Sequence, residues 1–158
     1  MPESSPTASP PVHRERHLRW LLLALFALVA YSMATRFLPS GPDWPEDYAA
    51  ARRAAAEENR PLLVQFSSSA CHYCKRMRSE VLSRSEVIEA LSPFELVQVD
   101  AWKEVALSER YAVGPVPAFV VVDGSGRLIA RIEGYRPADE FTEFLRRAAA
   151  ASAKLLGP

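Results

Sequence analysis

Cys71 and Cys74 are the only two cysteines among the 158 residues, and the two residues between them are His72 and Tyr73. If a turn brings the pair together at the start of a helix, the sulfurs can close a small disulfide. The first thiol then meets backbone N–H groups that have no partner inside the helix, and these favour its thiolate. A thiolate is the species that attacks a disulfide, and a second thiol nearby can resolve the mixed disulfide that results. The spacing therefore carries a mechanism. Metal binding is a poorer fit. Cys71, His72 and Cys74 offer soft ligands, but a closed structural zinc site takes four donors, and the remaining histidines, His13 and His17, lie far upstream. Neither a metal nor a cofactor is expected.

The elements that must position the pair are legible on either side of it. Leu62 to Phe66 is a short, nearly continuous apolar run, as in a central strand covered on both faces. From His72 to Leu82 the pattern is helical, with Met77 and Val81 facing inward. Upstream, Trp44 to Asn59 favours helix, placing Tyr48, Ala51, Ala54 and Ala55 against a core and ending at Asn59-Arg60-Pro61. Downstream, Ser85 is placed to cap a turn or helix holding Val87, Ile88 and Leu91, Phe94 to Val99 is a second strand, and Glu104 to Tyr111 is a short helical segment. Ala118 to Val122 and Leu128 to Ile132 flank Asp123-Gly124-Ser125-Gly126, turn chemistry that predicts a hairpin. Pro137 opens a last helix with Phe141, Phe144, Leu145 and Ala148 on one stripe. The layered solution for this order is α/β: a four-stranded mixed sheet with helices on both faces, its first two strands parallel and joined through the cysteine-bearing helix.

The N-terminus has a different character. Residues 1–19 begin with a Pro- and Ser-rich stretch to about Val12, which is expected to be disordered, and end in the basic flank His13 to Arg19. Residues 20–35 carry no formal charge. As a helix this run would be about 24 Å long, short of a bilayer core but workable with snorkelling arginines and interfacial Trp20 and Tyr31. It reads as a membrane anchor, or as the core of a signal peptide cut near Ser32-Met33-Ala34. In both cases the excess of arginines before the run puts the N-terminus in the cytoplasm and the rest of the chain outside, which in a bacterium is the periplasm. Residues 36–45 read as a linker and residues 46–156 as the folded domain. The formal charge is zero, with 19 basic and 19 acidic residues in no long blocks, so a nucleic-acid partner is not expected.

The run Phe66-Ser67-Ser68-Ser69-Ala70-Cys71-His72-Tyr73-Cys74-Lys75-Arg76-Met77, with Val113-Gly114-Pro115-Val116-Pro117 before the next apolar strand and the terminal hairpin and helix, resembles the thioredoxin superfamily, in particular its extracytoplasmic or membrane-anchored members. The resemblance implies a thioredoxin-like three-layer sandwich, here preceded by an N-terminal hydrophobic helix. It implies that Cys71 is the exposed attacking cysteine, Cys74 the more buried resolving one, and Pro117 a cis-proline facing the site, with the Val116 backbone pairing to an extended substrate. Two departures stand out. Gln65 occupies the place of a buried aspartate that assists proton transfer at the resolving cysteine, and an amide cannot be a general base. Ser67 replaces a tryptophan. His72, between the cysteines, can stabilise the Cys71 thiolate in its cationic form and raise the potential, and Tyr73 is expected to frame a contact surface.

The function expected from the resemblance is thiol–disulfide exchange on extracytoplasmic proteins through Cys71 and Cys74. The partners expected are protein thiols or disulfides, a membrane redox protein that renews the pair, and membrane lipid if the N-terminal helix is not cleaved. The alternative is a tethered binding or assembly protein on the same fold with little turnover.

Overall fold

The computed structural model describes residues 12–37 and 41–157. The chain divides into two compact units, one ending at Pro39 and one beginning at Ser40. The described part of the first is a single helix, α1 (Val12–Phe37), which contains the apolar run and extends it on both sides through the basic flank and into the expected linker. Its large apolar side chains, among them Trp20, Leu21, Phe26 and Tyr31, are exposed. Among the described residues no helix is long and apolar enough to cross a membrane. The disorder expected before Val12 falls on residues outside those described, as do linker positions 38–40.

The second unit follows the order α2 (Tyr48–Glu57), β1 (Leu62–Ser67), α3 (His72–Arg76), a π-helical turn (Met77–Val81), α4 (Ser85–Leu91), β2 (Glu95–Asp100), α5 (Val105–Arg110), β3 (Ala118–Val122), β4 (Leu128–Glu133) and α6 (Ala138–Leu156). The sheet order is β2-β1-β3-β4. β1 and β2 are parallel, with α3, the π-helical turn and α4 in the connection between them, while β3 is antiparallel to both β1 and β4. This is the mixed sheet that the element order predicts.

Both faces of the central strands are covered, which is why β1 and β3 are buried at every position and carry no polar–apolar alternation. On one face Leu62, Val64 and Phe66 pack with Ala51 and Ala55 of α2 and with Val97, Val120 and Tyr111. On the other, Leu63 packs with Met77 and Val81, with Val87 and Leu91 of α4, and with Phe141 and Leu145 of α6. At about 25 cal/mol per Å² of apolar surface, this two-sided burial is what offsets the ordering entropy of the chain. Asp123 ties the β3–β4 turn together: it accepts from the Ser125 N–H and hydroxyl and from the Arg127 N–H, and pairs with the Arg127 guanidinium at 2.9 Å. Burial by itself would raise its carboxyl, but these donors outweigh it and hold the group below the ordinary carboxylate range.

The helix expected from Trp44 starts only at Tyr48, with Asp47 as its cap, and three further details differ from the sequence reading. The helix expected to run from His72 to Leu82 changes to π geometry at Met77, where the Leu82 N–H reaches back to the Met77 carbonyl at 2.9 Å. The wider turn puts Met77, Val81 and Leu82 all inward, whereas α geometry would spread them further around the axis. Ser85 is the first residue of α4 and not its cap; Arg84 holds that position without capping the helix backbone, its guanidinium pairing instead with Glu86, which the Ser85 hydroxyl also faces. Pro137 likewise stands just ahead of α6 as its N-cap, and its carbonyl accepts from the Phe141 N–H.

Candidate active site

β1 ends at Ser67, and after three intervening residues the chain enters α3 with Cys71 as its N-cap, in extended backbone conformation. The Sγ of Cys71 accepts a hydrogen bond from the Cys74 N–H at 3.0 Å, so the cysteine caps its own helix. In this geometry a Cys71 thiolate gains a charge-assisted bond as soon as it forms. Cys71 and Cys74 are joined, with an S–S distance of 2.19 Å and Cα atoms 5.3 Å apart. Exposure is unequal: Cys71 is half-buried, whereas Cys74 is 4% exposed.

Across from the pair, the Val116–Pro117 peptide bond is cis, as the resemblance implied, and the Val116 carbonyl oxygen lies 3.6 Å from the Cys71 sulfur. Pro117 is buried and Val116 half-buried. His72 and Tyr73 are exposed beside the sulfurs, with their rings edge-on at 5.7 Å. The structure thus brings together all six residues singled out in the sequence.

It also brings in residues that the sequence reading did not gather. The Arg76 guanidinium lies over the Tyr135 ring at 4.7 Å and near the Tyr73 ring at 5.9 Å. Arg76 donates twice to Glu80, at 3.0 and 2.9 Å, and the Tyr135 hydroxyl donates to the same carboxylate at 3.0 Å. The bonds from Arg76, then that from Tyr135, hold the Glu80 carboxyl below its usual range. This clasp joins the cysteine helix to the loop after β4. The i, i+4 spacing of Arg76 and Glu80 is readable in a sequence, but Tyr135 is 55 residues beyond Glu80 and nothing local marks it.

Gln65 lies on β1 opposite Phe119 and Gln98, on the sheet face that the cysteine helix covers. It is fully buried, and neither its Nε2 nor its Oε1 has a hydrogen-bond partner. A buried unpaired amide is destabilising by about 1–3 kcal/mol. Gln65→Leu, which keeps the volume and removes both polar atoms, is therefore expected to raise unfolding stability by about that amount in urea melts. A loss of stability would show that the amide is satisfied in solution.

A cleft of about 620 Å³ opens on the Cys74 side, lined by Ser67, Cys74, Arg78, Gln98, Asp100 and Lys103 among others. Ser67, the residue in place of the tryptophan, contributes to this wall.

Residues 48–149 match the family model described as a thioredoxin-like domain. The chain belongs to that family. Among curated relatives, the thiol:disulfide interchange protein DsbD of Ralstonia nicotianae is 32% identical over 101 residues, covering 61% of this chain and 17% of that protein. The thiol:disulfide interchange protein TxlA homolog of Synechocystis is 30% identical over 83 residues, covering 52% of this chain and 46% of that protein. The chain thus spans less than half the length of either relative. Among solved structures, a thioredoxin from Thermus thermophilus superposes with a TM-score of 0.63 at 29% identity, covering 73% of this chain and 92% of that one. The oxidised C-terminal domain of DsbD from Neisseria meningitidis gives 0.58 at 26% identity, covering 67% and 99%. The thioredoxin-like domain of this chain therefore carries its Cys-x-x-Cys pair at the start of a helix, opposite a cis-proline.

Proposed function

We propose that this protein is a thiol–disulfide oxidoreductase acting on protein thiols or disulfides outside the cytoplasm. The observation that carries the reading is the Cys71–Cys74 pair itself, bonded at a helix start, with the first sulfur half-exposed and the second covered. In the reducing direction the Cys71 thiolate attacks one sulfur of a substrate disulfide and releases the other as a thiolate. Cys74 then attacks Cys71, closing the protein disulfide and freeing the second substrate sulfur. In the oxidising direction a substrate thiolate attacks Cys71 and displaces Cys74. The direction follows the difference in potential between this pair and its partners. Val116 and the buried Pro117 form the wall against which an extended substrate segment would lie, and Tyr73 and His72 the rim.

Placement outside the cytoplasm is supported by the basic flank ahead of the apolar run in α1 and by the kinship with thiol:disulfide interchange proteins. The same run would tether the domain to the membrane, or direct its export before cleavage. A membrane protein that renews the dithiol or disulfide completes the cycle.

A redox titration of the full-length protein, with alkylation of free thiols at each poise, tests this reading. The expected result is a reversible two-electron transition with a midpoint above the roughly −270 mV of a thioredoxin. His72→Ala is expected to lower that midpoint by about 30 mV, a tenfold change in the equilibrium constant, because the imidazole beside Cys71 no longer favours the thiolate. An unchanged midpoint would remove the tuning role of His72. A pair that never closes under mild oxidation would remove the redox assignment altogether.

A further inference from the structure

Resolution of a mixed disulfide requires Cys74 to lose a proton, because only a thiolate attacks sulfur. Cys74 is 4% exposed and Gln65, on the sheet face below it, has an amide that cannot take the proton. We propose that Asp100, at the end of the edge strand β2, is the proton-exchange partner of Cys74. This assignment rests on the redox reading of the pair.

The register of the sheet places it there. β1 and β2 pair in parallel with Gln65 opposite Gln98 and Ser67 opposite Asp100, so Gln65, Ser67, Gln98 and Asp100 share the face that the cysteine helix covers. Asp100 and Cys74 line the same cleft of about 620 Å³, which is open to solvent and wide enough for a water between carboxylate and thiol. The carboxylate is anchored: its Oδ1 accepts from the Trp102 N–H at 3.0 Å, and the Asp100 carbonyl accepts from the Lys103 and Glu104 N–H groups at 3.1 and 2.9 Å. Other charged groups reach this cleft from every side: Glu46 from the segment before α2, Lys75 from α3, Arg78 from the π-helical turn after it, Lys103 and Glu104 from the turn into α5. Of its three carboxylates, only Asp100 belongs to the sheet, beside Ser67; Glu46 and Glu104 are on exposed connecting segments. The acid–base group that Gln65 cannot supply is thus found one strand over.

In the resolving step the Cys74 thiol passes its proton through the cleft to the Asp100 carboxylate. The Cys74 sulfur bonds to Cys71, the Cys71–substrate bond breaks, and the substrate leaves as a thiolate. Two electrons pass from the dithiol to the substrate sulfur, and the proton on Asp100 returns to solvent. In the reverse direction protonated Asp100 gives the proton to Cys74 as it leaves.

The reaction of reduced full-length protein with dithiobis(nitrobenzoate) separates the steps. Attack by Cys71 releases the first nitrothiobenzoate and attack by Cys74 the second. At about pH 6.5, two units below an ordinary cysteine, Asp100→Asn is expected to slow the second phase about tenfold with the first unchanged, a modest share of the 10²–10⁴ that acid–base assistance can supply. The difference should fade as the pH rises and hydroxide in the cleft takes over removal of the Cys74 proton. The amide still offers Oδ1 to Trp102, so the strand end is preserved. Glu46→Gln and Glu104→Gln are expected to keep the parent profile. Equal second phases in Asp100→Asn and parent overturn the assignment, as does equal slowing of both phases or transfer of the effect to Glu46 or Glu104. A parent that never releases the second equivalent removes the dithiol reaction and both readings with it, whereas two normal phases insensitive to Asp100 remove Asp100 alone.

Discussion

Cys71→Ser is expected to reduce turnover of insulin disulfides by at least about a thousandfold while leaving the fold intact. A hydroxyl stays protonated near neutral pH and does not attack sulfur, so the covalent route through a mixed disulfide closes completely. The substitution is nearly isosteric at a half-buried site, and the serine oxygen can still accept from the Cys74 N–H, so α3 keeps its cap. Cys74 cannot substitute, because at 4% exposure its sulfur is shielded from a protein disulfide. The assay should include client binding. Full binding by the mutant, combined with no turnover by the parent, would favour the tethered assembly protein over the enzyme. Turnover in Cys71→Ser close to that of the parent would place the chemistry elsewhere.

The largest effect on stability is expected from Phe119→Ala, at about 3–5 kcal/mol. Phe119 is fully buried on β3, two residues after Pro117, and its ring centre lies 4.6 Å from that of Phe141 on α6. Its register partners are Gln65 on β1 and Ile132 on β4. Truncation removes the apolar transfer term and leaves a cavity between the sheet and α6 that rigid strands cannot close. Against a total of roughly 5–15 kcal/mol for a domain of this size, that is a large fraction. Urea melts should show a lower midpoint with an unchanged slope. A loss under about 1 kcal/mol would mean that α6 settles into the space.

Much of the fold could be read from the chain because the relevant signals are local. The apolar runs at Leu62–Phe66 and Ala118–Val122, the turn residues Asp123 to Gly126 and the stripe Phe141, Phe144, Leu145, Ala148 each specify an element within one window, and the observed strands and helix follow them within about two residues. The cysteine pair was legible for the same reason, since three positions of separation already bring two side chains together at a helix start. The helix boundaries were less so. The π-helical turn at Met77–Val81 and the N-cap positions of Arg84 and Pro137 depend on backbone geometry that neighbouring residue types only loosely constrain.

What the sequence by itself determined was the pair Cys71–Cys74, the order of strands and helices around it, and the absence of a titratable group at Gln65. The tertiary structure decided what surrounds that pair. Tyr135 reaches Glu80 across 55 residues, and Asp100 comes to the cleft beside Cys74 because β2 pairs with β1 in one particular register. A slip of that pairing by a single residue would turn Asp100 to the opposite face. Such neighbours are set by long-range packing and sheet register, which act between segments and leave no trace in either segment alone.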